Sequence, residues 1–143
     1  MKLAFLVIFV AFVQFSGAAL ITIQNNMSKA ITLGGLVNNL VVASGARFIY
    51  QAPPSVKGQI FAHMGDSGEA TTAEFNINED GKDYYDISVI NGYNLPMKII
   101  PSDEDCVVVT CKSADCEEAF QNTSDNTKTH VCTTSADYTV LFS

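Results

Sequence analysis

Between Leu20 and Ser143 no stretch keeps its apolar residues in step with a 3.6-residue turn; apolar and polar side chains alternate in short runs instead, each cut off by turn formers. Alternation with period 2 sends successive side chains to opposite faces of an extended chain, which is incompatible with a one-sided helix. The runs read as strands over 20–25, 30–33, 37–42, 46–51, 57–63, 71–78, 83–89, 96–100, 106–110 and 137–142. Gly34-Gly35, Ser44-Gly45, Pro53-Pro54, Gly65 to Gly68, Asp80-Gly81 and Asn91-Gly92 separate them. This rhythm predicts a single all-β domain, a sandwich or a barrel.

Two strands show their faces clearly. Ala73, Phe75 and Ile77 alternate with Thr72, Glu74 and Asn76, and Tyr85, Ile87 and Val89 alternate with Tyr84, Asp86 and Ser88. Each strand therefore buries one apolar row and presents one polar row. The Glu79-Asp80-Gly81 turn pairs the two as a hairpin, so Glu74 and Asp86 project from one polar face. Two carboxylates that close repel, and the pKa of one rises. Tyr84 shares their row and offers an aromatic face to a sugar ring, whereas Tyr85 belongs to the core row.

The 48% apolar content is concentrated at the start of the chain. Lys2 precedes an apolar run from Leu3 to Val13, followed by Ser16, Gly17 and Ala18. This is the layout of a secretory signal peptide over residues 1–18, and it falls short of the roughly 20 apolar residues that span a bilayer. Residues 19–143 then form the mature domain, with an apolar share of about 44%, ordinary for a soluble protein. Its charge moves from −7 to −8 as Lys2 is lost. Such a field repels phosphate backbones and anionic lipid, so nucleic-acid partners are excluded, and no second membrane-length run remains.

Cys106, Cys111, Cys116 and Cys132 sit in the last 38 residues, and export favours disulfides, for which three pairings are open. A zinc site fits poorly, because no CxxC knuckle or HxxxH follows. His63 with Glu74 and Asp86 is too sparse a donor set for a metal centre, and no phosphate-cradling or nucleophile-elbow motif occurs, so no metal or cofactor is expected. Asn26-Met27-Ser28 and Asn122-Thr123-Ser124 are glycosylation acceptors consistent with export, Asn122 in the more open loop.

The run from Thr71 to Pro101 resembles the thaumatin-like, or pathogenesis-related group 5, proteins, in which an AEF strand leads to a DIS strand and a GYN-P-M turn. Here these are Ala73 to Phe75, Asp86 to Ser88 and Gly92 to Met97. Ile21 to Ser28, Gly58 to Gly65 and Asp137 to Ser143 are similar to further strands of the family. The departures are coupled. Met27 and Ser143 stand where the family has two cysteines that pair, and Asp66 replaces a third. The segment between Cys111 and Cys116 stands where larger members carry a cysteine-rich second domain.

The resemblance implies a thaumatin-like antiparallel β-sandwich with bridges Cys106–Cys132 and Cys111–Cys116. It also implies a secreted, monomeric protein of defence or host–microbe contact, whose acidic groove binds fungal-type β-1,3-glucan or another extracellular polysaccharide. The family's cleft acids map onto Glu74, Asp86 and Glu118; its arginine falls at His63 and its remaining aspartate at Asn91. Two other functions are compatible with the same residues. Glu74 and Asp86 are the carboxylates a weak endo-β-1,3-glucanase would use, and a scaffold for protein partners would need no sugar at all.

Overall fold

The computed structural model describes residues 19–65, 68–133 and 135–143; the leader assigned to residues 1–18, and Asp66, lie outside them. The described residues form eleven strands: β1 (Leu20–Asn25), β2 (Ile31–Gly35), β3 (Leu40–Val42), β4 (Arg47–Gln51), β5 (Val56–His63), β6 (Thr72–Glu79), β7 (Lys82–Ser88), β8 (Met97–Pro101), β9 (Val109–Cys111), β10 (His130–Cys132) and β11 (Tyr138–Phe142). They make two sheets, one of five strands in the order β4-β1-β11-β8-β9 and one of six in the order β10-β7-β6-β5-β2-β3. All pairings are antiparallel except β1 with β11. Of the two architectures open to the sequence pattern, the chain adopts the sandwich.

The alternation read from the sequence decides which side chains meet between the sheets. Ile21 and Ile23 of β1, Met97 and Ile99 of β8, and Tyr138, Val140 and Phe142 of β11 face inward from one sheet. Leu33 of β2, Ile60 of β5, Phe75 and Ile77 of β6, and Tyr85 and Ile87 of β7 face them from the other. Each large side chain so buried contributes about 1.5–3 kcal/mol. At the centre the Tyr138 ring lies 5.4 Å from Phe75 and 5.3 Å from Tyr85, in edge and tilted contacts that aromatic quadrupoles favour.

This aromatic cluster carries a polar lock. The Tyr138 hydroxyl donates to Asp83 Oδ2 at 2.8 Å, and the Asn78 amide donates to Asp83 Oδ1, also at 2.8 Å. Asp83 is thus a carboxylate in the inward row of β7 with both oxygens satisfied, and it ties one sheet to the other. Burial, then the Asp83 hydrogen bond and charge, push the Tyr138 phenol well above its ordinary pKa.

The β6–β7 hairpin turns through Asp80 and Gly81, whose φ values of 52° and 76° make the two-residue loop that matches strand twist. Between Asn76 and Glu79 the register shifts, so Ile77 and Asn78 oppose Asp83 alone. Asn78 takes a φ of 57° there, a conformation asparagine tolerates better than most residues.

Three local expectations change. Gly34-Gly35 ends β2 instead of separating two strands, because a Cβ at Gly34 would come within 2.3 Å of the Phe61 ring: the bare backbone is what lets that ring lie across β2. The run 106–110 contributes only β9, since Cys106 is held by its disulfide outside the ladder. His130–Cys132 forms β10, which the sequence pattern did not predict, since three residues among Asn, Thr and Ser show no period.

The cysteines pair as Cys106–Cys132 and Cys111–Cys116, one bridge nested inside the other. The outer bridge closes 26 positions and fixes β10 to the segment that follows β8; constraining such a loop is worth about 3–4 kcal/mol, and the five-position inner loop about 2. Tyr138→Phe tests the polar lock. It leaves Asp83 buried with one donor fewer, and urea denaturation is expected to show a loss of about 1.5–3 kcal/mol with an unchanged m-value.

Candidate functional site

The outward face of the six-stranded sheet carries the polar rows. Antiparallel register sets Gln59 of β5 opposite Glu74 of β6, and Glu74 opposite Asp86 of β7. One row further along, Lys57, Asn76 and Tyr84 stand opposite one another, with Val131 of β10 beyond Tyr84. These rows line a groove of about 420 Å³. β5 supplies Lys57 and Gln59, β6 supplies Glu74, Asn76 and Glu79, β7 supplies Tyr84 and Asp86, and the segment entering β10 supplies Thr129.

Asp86 is the unusual member. It lies on the polar face yet is only 7% exposed, covered on one side by Glu74 and on the other by Thr129, whose hydroxyl donates to Oδ2 at 3.1 Å. Oδ1 is buried and has no donor among the described residues. Burial first, then a hydrogen bond and repulsion from the Glu74 carboxyl, push the Asp86 pKa up to about 7, while Thr129 pulls the other way. The two acids thus stand side by side in the ladder, with one oxygen of Asp86 buried and lacking a donor among the described residues.

The other sequence candidates lie outside the groove lining. His63, at the far end of β5, alternates onto the same face; its ring meets Phe61 edge-on at 5.4 Å and approaches Asn94 Nδ2 at 3.5 Å. Asn91 is exposed in the turn after β7, where its carbonyl accepts from the Ala70 amide at 3.4 Å. Glu118 is exposed, and its Oε2 accepts from the Thr110 amide at 2.6 Å, in the middle of the edge strand β9. Both glycosylation acceptors are accessible: Asn26 and Asn122 are exposed, Asn122 folding its side chain back onto the Ser124 amide.

Thr129, Gln59, Lys57, Asn76 and Glu79 line the groove but were not singled out as site residues from the sequence. Gln59 and Lys57 belong to the polar row of β5, and the alternation there identifies them once the β5–β6 pairing is known. Thr129 enters through β10, which carried no signal. The Asp103, Cys106 and Cys132 ligand atoms also cluster, but both cysteines are consumed by their disulfide.

The sequence model of the thaumatin family matches residues 55–137, more than half of the chain. The chain belongs to the thaumatin family. A thaumatin-like protein of Oryza sativa subsp. japonica is 44% identical over 72 residues, which are 50% of this chain and 39% of that protein. A glucan endo-1,3-beta-glucosidase of Prunus avium is 38% identical over 73 residues, 48% of this chain and 29% of that protein. This thaumatin-family chain thus spans at most about two-fifths of the length of these relatives. A solved structure of a thaumatin-like xylanase inhibitor superposes with a TM-score of 0.68 at 16% identity, covering 85% of this chain and 97% of the inhibitor, which establishes the shared fold. Among the described residues no helix is long and apolar enough to cross a membrane.

The raised Asp86 pKa makes a signed prediction. Below about pH 4 the group is protonated folded and unfolded alike. Between there and about pH 7 only the folded state keeps the proton, so stability falls as pH rises through that window. Asparagine cannot ionise and escapes this loss. Asp86→Asn is expected to raise Tm at pH 8 by about 5 °C, the full effect being reduced by groove water, and to converge on the parent near pH 4. Calorimetry at the two pH values checks it.

Proposed function

We propose that this protein is a secreted, extracellular thaumatin-family module of defence or host–microbe contact that binds β-1,3-glucan or a similar neutral polysaccharide in the Glu74–Asp86 groove. The observation that carries this reading is the groove itself. A carboxyl pair, the amides Gln59 and Asn76 and the Tyr84 ring share one outward face, matching a sugar's mix of hydroxyl edges and apolar ring faces. The groove crosses the strands, and with sheet neighbours about 4.8 Å apart its length suits about three sugar rings. A field of −8 on the mature chain favours neutral polymers over anionic ones. His63, Asn91 and Glu118 are assigned lesser parts in binding, since they lie outside the lining.

Binding is favoured over hydrolysis by the placement of the two acids directly opposite each other on one sheet face. Glycoside hydrolysis places the scissile bond between carboxyls about 5–5.5 Å apart for retention and about 6.5–9.5 Å for inversion. Glu74 and Asp86 instead stand on one face of the sheet, both beneath a ligand lying in the groove, so neither is placed on the far side of a bound sugar. The name of the Prunus avium relative keeps hydrolysis as the second reading, with Glu74 and Asp86 as its catalytic pair.

Sedimentation with insoluble β-1,3-glucan at pH 5.5 tests the proposal. The parent is expected in the pellet, with retention at least about fivefold lower for Glu74→Gln/Asp86→Asn and about tenfold lower for Tyr84→Ala. Equal retention of parent and variants contradicts the site. Release of reducing ends that vanishes in Glu74→Gln supports the hydrolytic reading, and neither retention nor release points to a protein partner.

A further inference from the structure

The acidic pair is more than a static binding surface. Glu74 and Asp86 stand directly opposite in the β6–β7 ladder, so the hairpin fixes their backbone positions side by side on the outward face. Asp86 is buried and its Oδ1 has no donor among the described residues, while Oδ2 is already taken by Thr129. An oxygen so placed costs about 1–3 kcal/mol unless a hydrogen reaches it. The titratable group opposite it in the ladder is the Glu74 carboxyl.

We propose that Glu74 and Asp86 share one proton and that this proton gates the groove: polysaccharide binds the singly protonated pair, and loss of the proton releases it. The proposal rests on the polysaccharide reading above and adds its regulation. With the proton in place the pair presents a donor and an acceptor to ligand hydroxyls and carries one charge. Without it two adjacent anions hold water and offer no donor, and their repulsion strains the row that Tyr84 borders.

The charges around the pair make it the group that switches. On β6, Glu79 adds negative charge; on β5, Lys57 is the cation of the lining and stands one row away, opposite Asn76. On the segment entering β10, Lys128 and His130 flank Thr129, with His130 paired to Tyr85 of the inward row. On β7 itself the neighbour is Tyr84. The 116–121 segment, which bridges to Ser88, brings Glu118, whose carboxylate is occupied by the Thr110 amide. None of these puts a cation against Asp86 Oδ1, and the burial and Glu74 contact that raise the Asp86 pKa to about 7 place the switch between mildly acidic and alkaline pH.

Two measurements on the mature protein decide this. In the first, the carboxyl carbons of Glu74 and Asp86 are titrated by carbon-13 NMR without ligand. A coupled curve with one step near pH 7 is expected, and two independent steps below about pH 5 would overturn the shared proton. In the second, retention on insoluble β-1,3-glucan is measured at pH 5.5 and pH 8.5. If only the protonated pair binds, parent affinity falls about 30-fold across that interval. Asp86→Asn binds more weakly than the parent at pH 5.5, but with the same affinity at both pH values. A parent-like pH dependence in Asp86→Asn would assign the effect to His63 or His130 and overturn the gate. Parent retention that is equal at both pH values overturns the gate alone; parent retention at neither overturns the polysaccharide reading and the gate together.

Discussion

The register of the β6–β7 hairpin sets both faces of the six-stranded sheet at once. With Glu74 opposite Asp86, Phe75 and Tyr85 meet Tyr138 across the core, and the acids, Asn76 and Tyr84 meet on the outside. A slip of one residue would turn both rows over, exposing the aromatics and burying the carboxylates without partners. Three devices prevent it: the Asp80-Gly81 turn, the extra residue at Asn78, and the Asp83 carboxylate that grips the Asn78 amide on one side and Tyr138 on the other. The groove is rigid for the same reason the core is.

That rigidity explains why the two aspartates of β7 behave differently although they are three residues apart. Asp83, in the inward row, receives a phenol hydroxyl and a backbone amide, so its burial is fully compensated. Asp86, in the outward row, receives one hydroxyl and faces another acid. The first builds the sandwich; the second holds unfavourable energy in the groove, the usual situation where a fold reserves chemistry for a ligand. The disulfide Cys106–Cys132 supports this arrangement indirectly, because it anchors β10 and the entering segment carries Thr129 over Asp86.

Much of this was legible before the fold was known. Alternation gave both faces of β6 and β7, the turn residues gave their hairpin, and the pairing of Glu74 with Asp86 followed from the two together. The disulfide pairing came from family resemblance, since four cysteines alone leave three choices. What stayed hidden has physical causes. β10 is too short to show a period, so Thr129 had no visible route to the site. Gly34 looked like punctuation because its purpose, room for the Phe61 ring, depends on a strand distant in sequence. Asp83 carried no signal in the sequence because its partner, Tyr138, is 55 positions away.

The account depends on interaction between the Glu74 and Asp86 carboxyls, and a double-mutant cycle on folding stability at pH 8 measures that interaction without reference to any ligand. Glu74→Gln and Asp86→Asn are each expected to stabilise the protein by removing the same repulsion. The double variant then gains less than the sum of the two, with a coupling of about 1 kcal/mol or more. Strictly additive effects would mean that the two carboxyls do not interact, and would contradict the account.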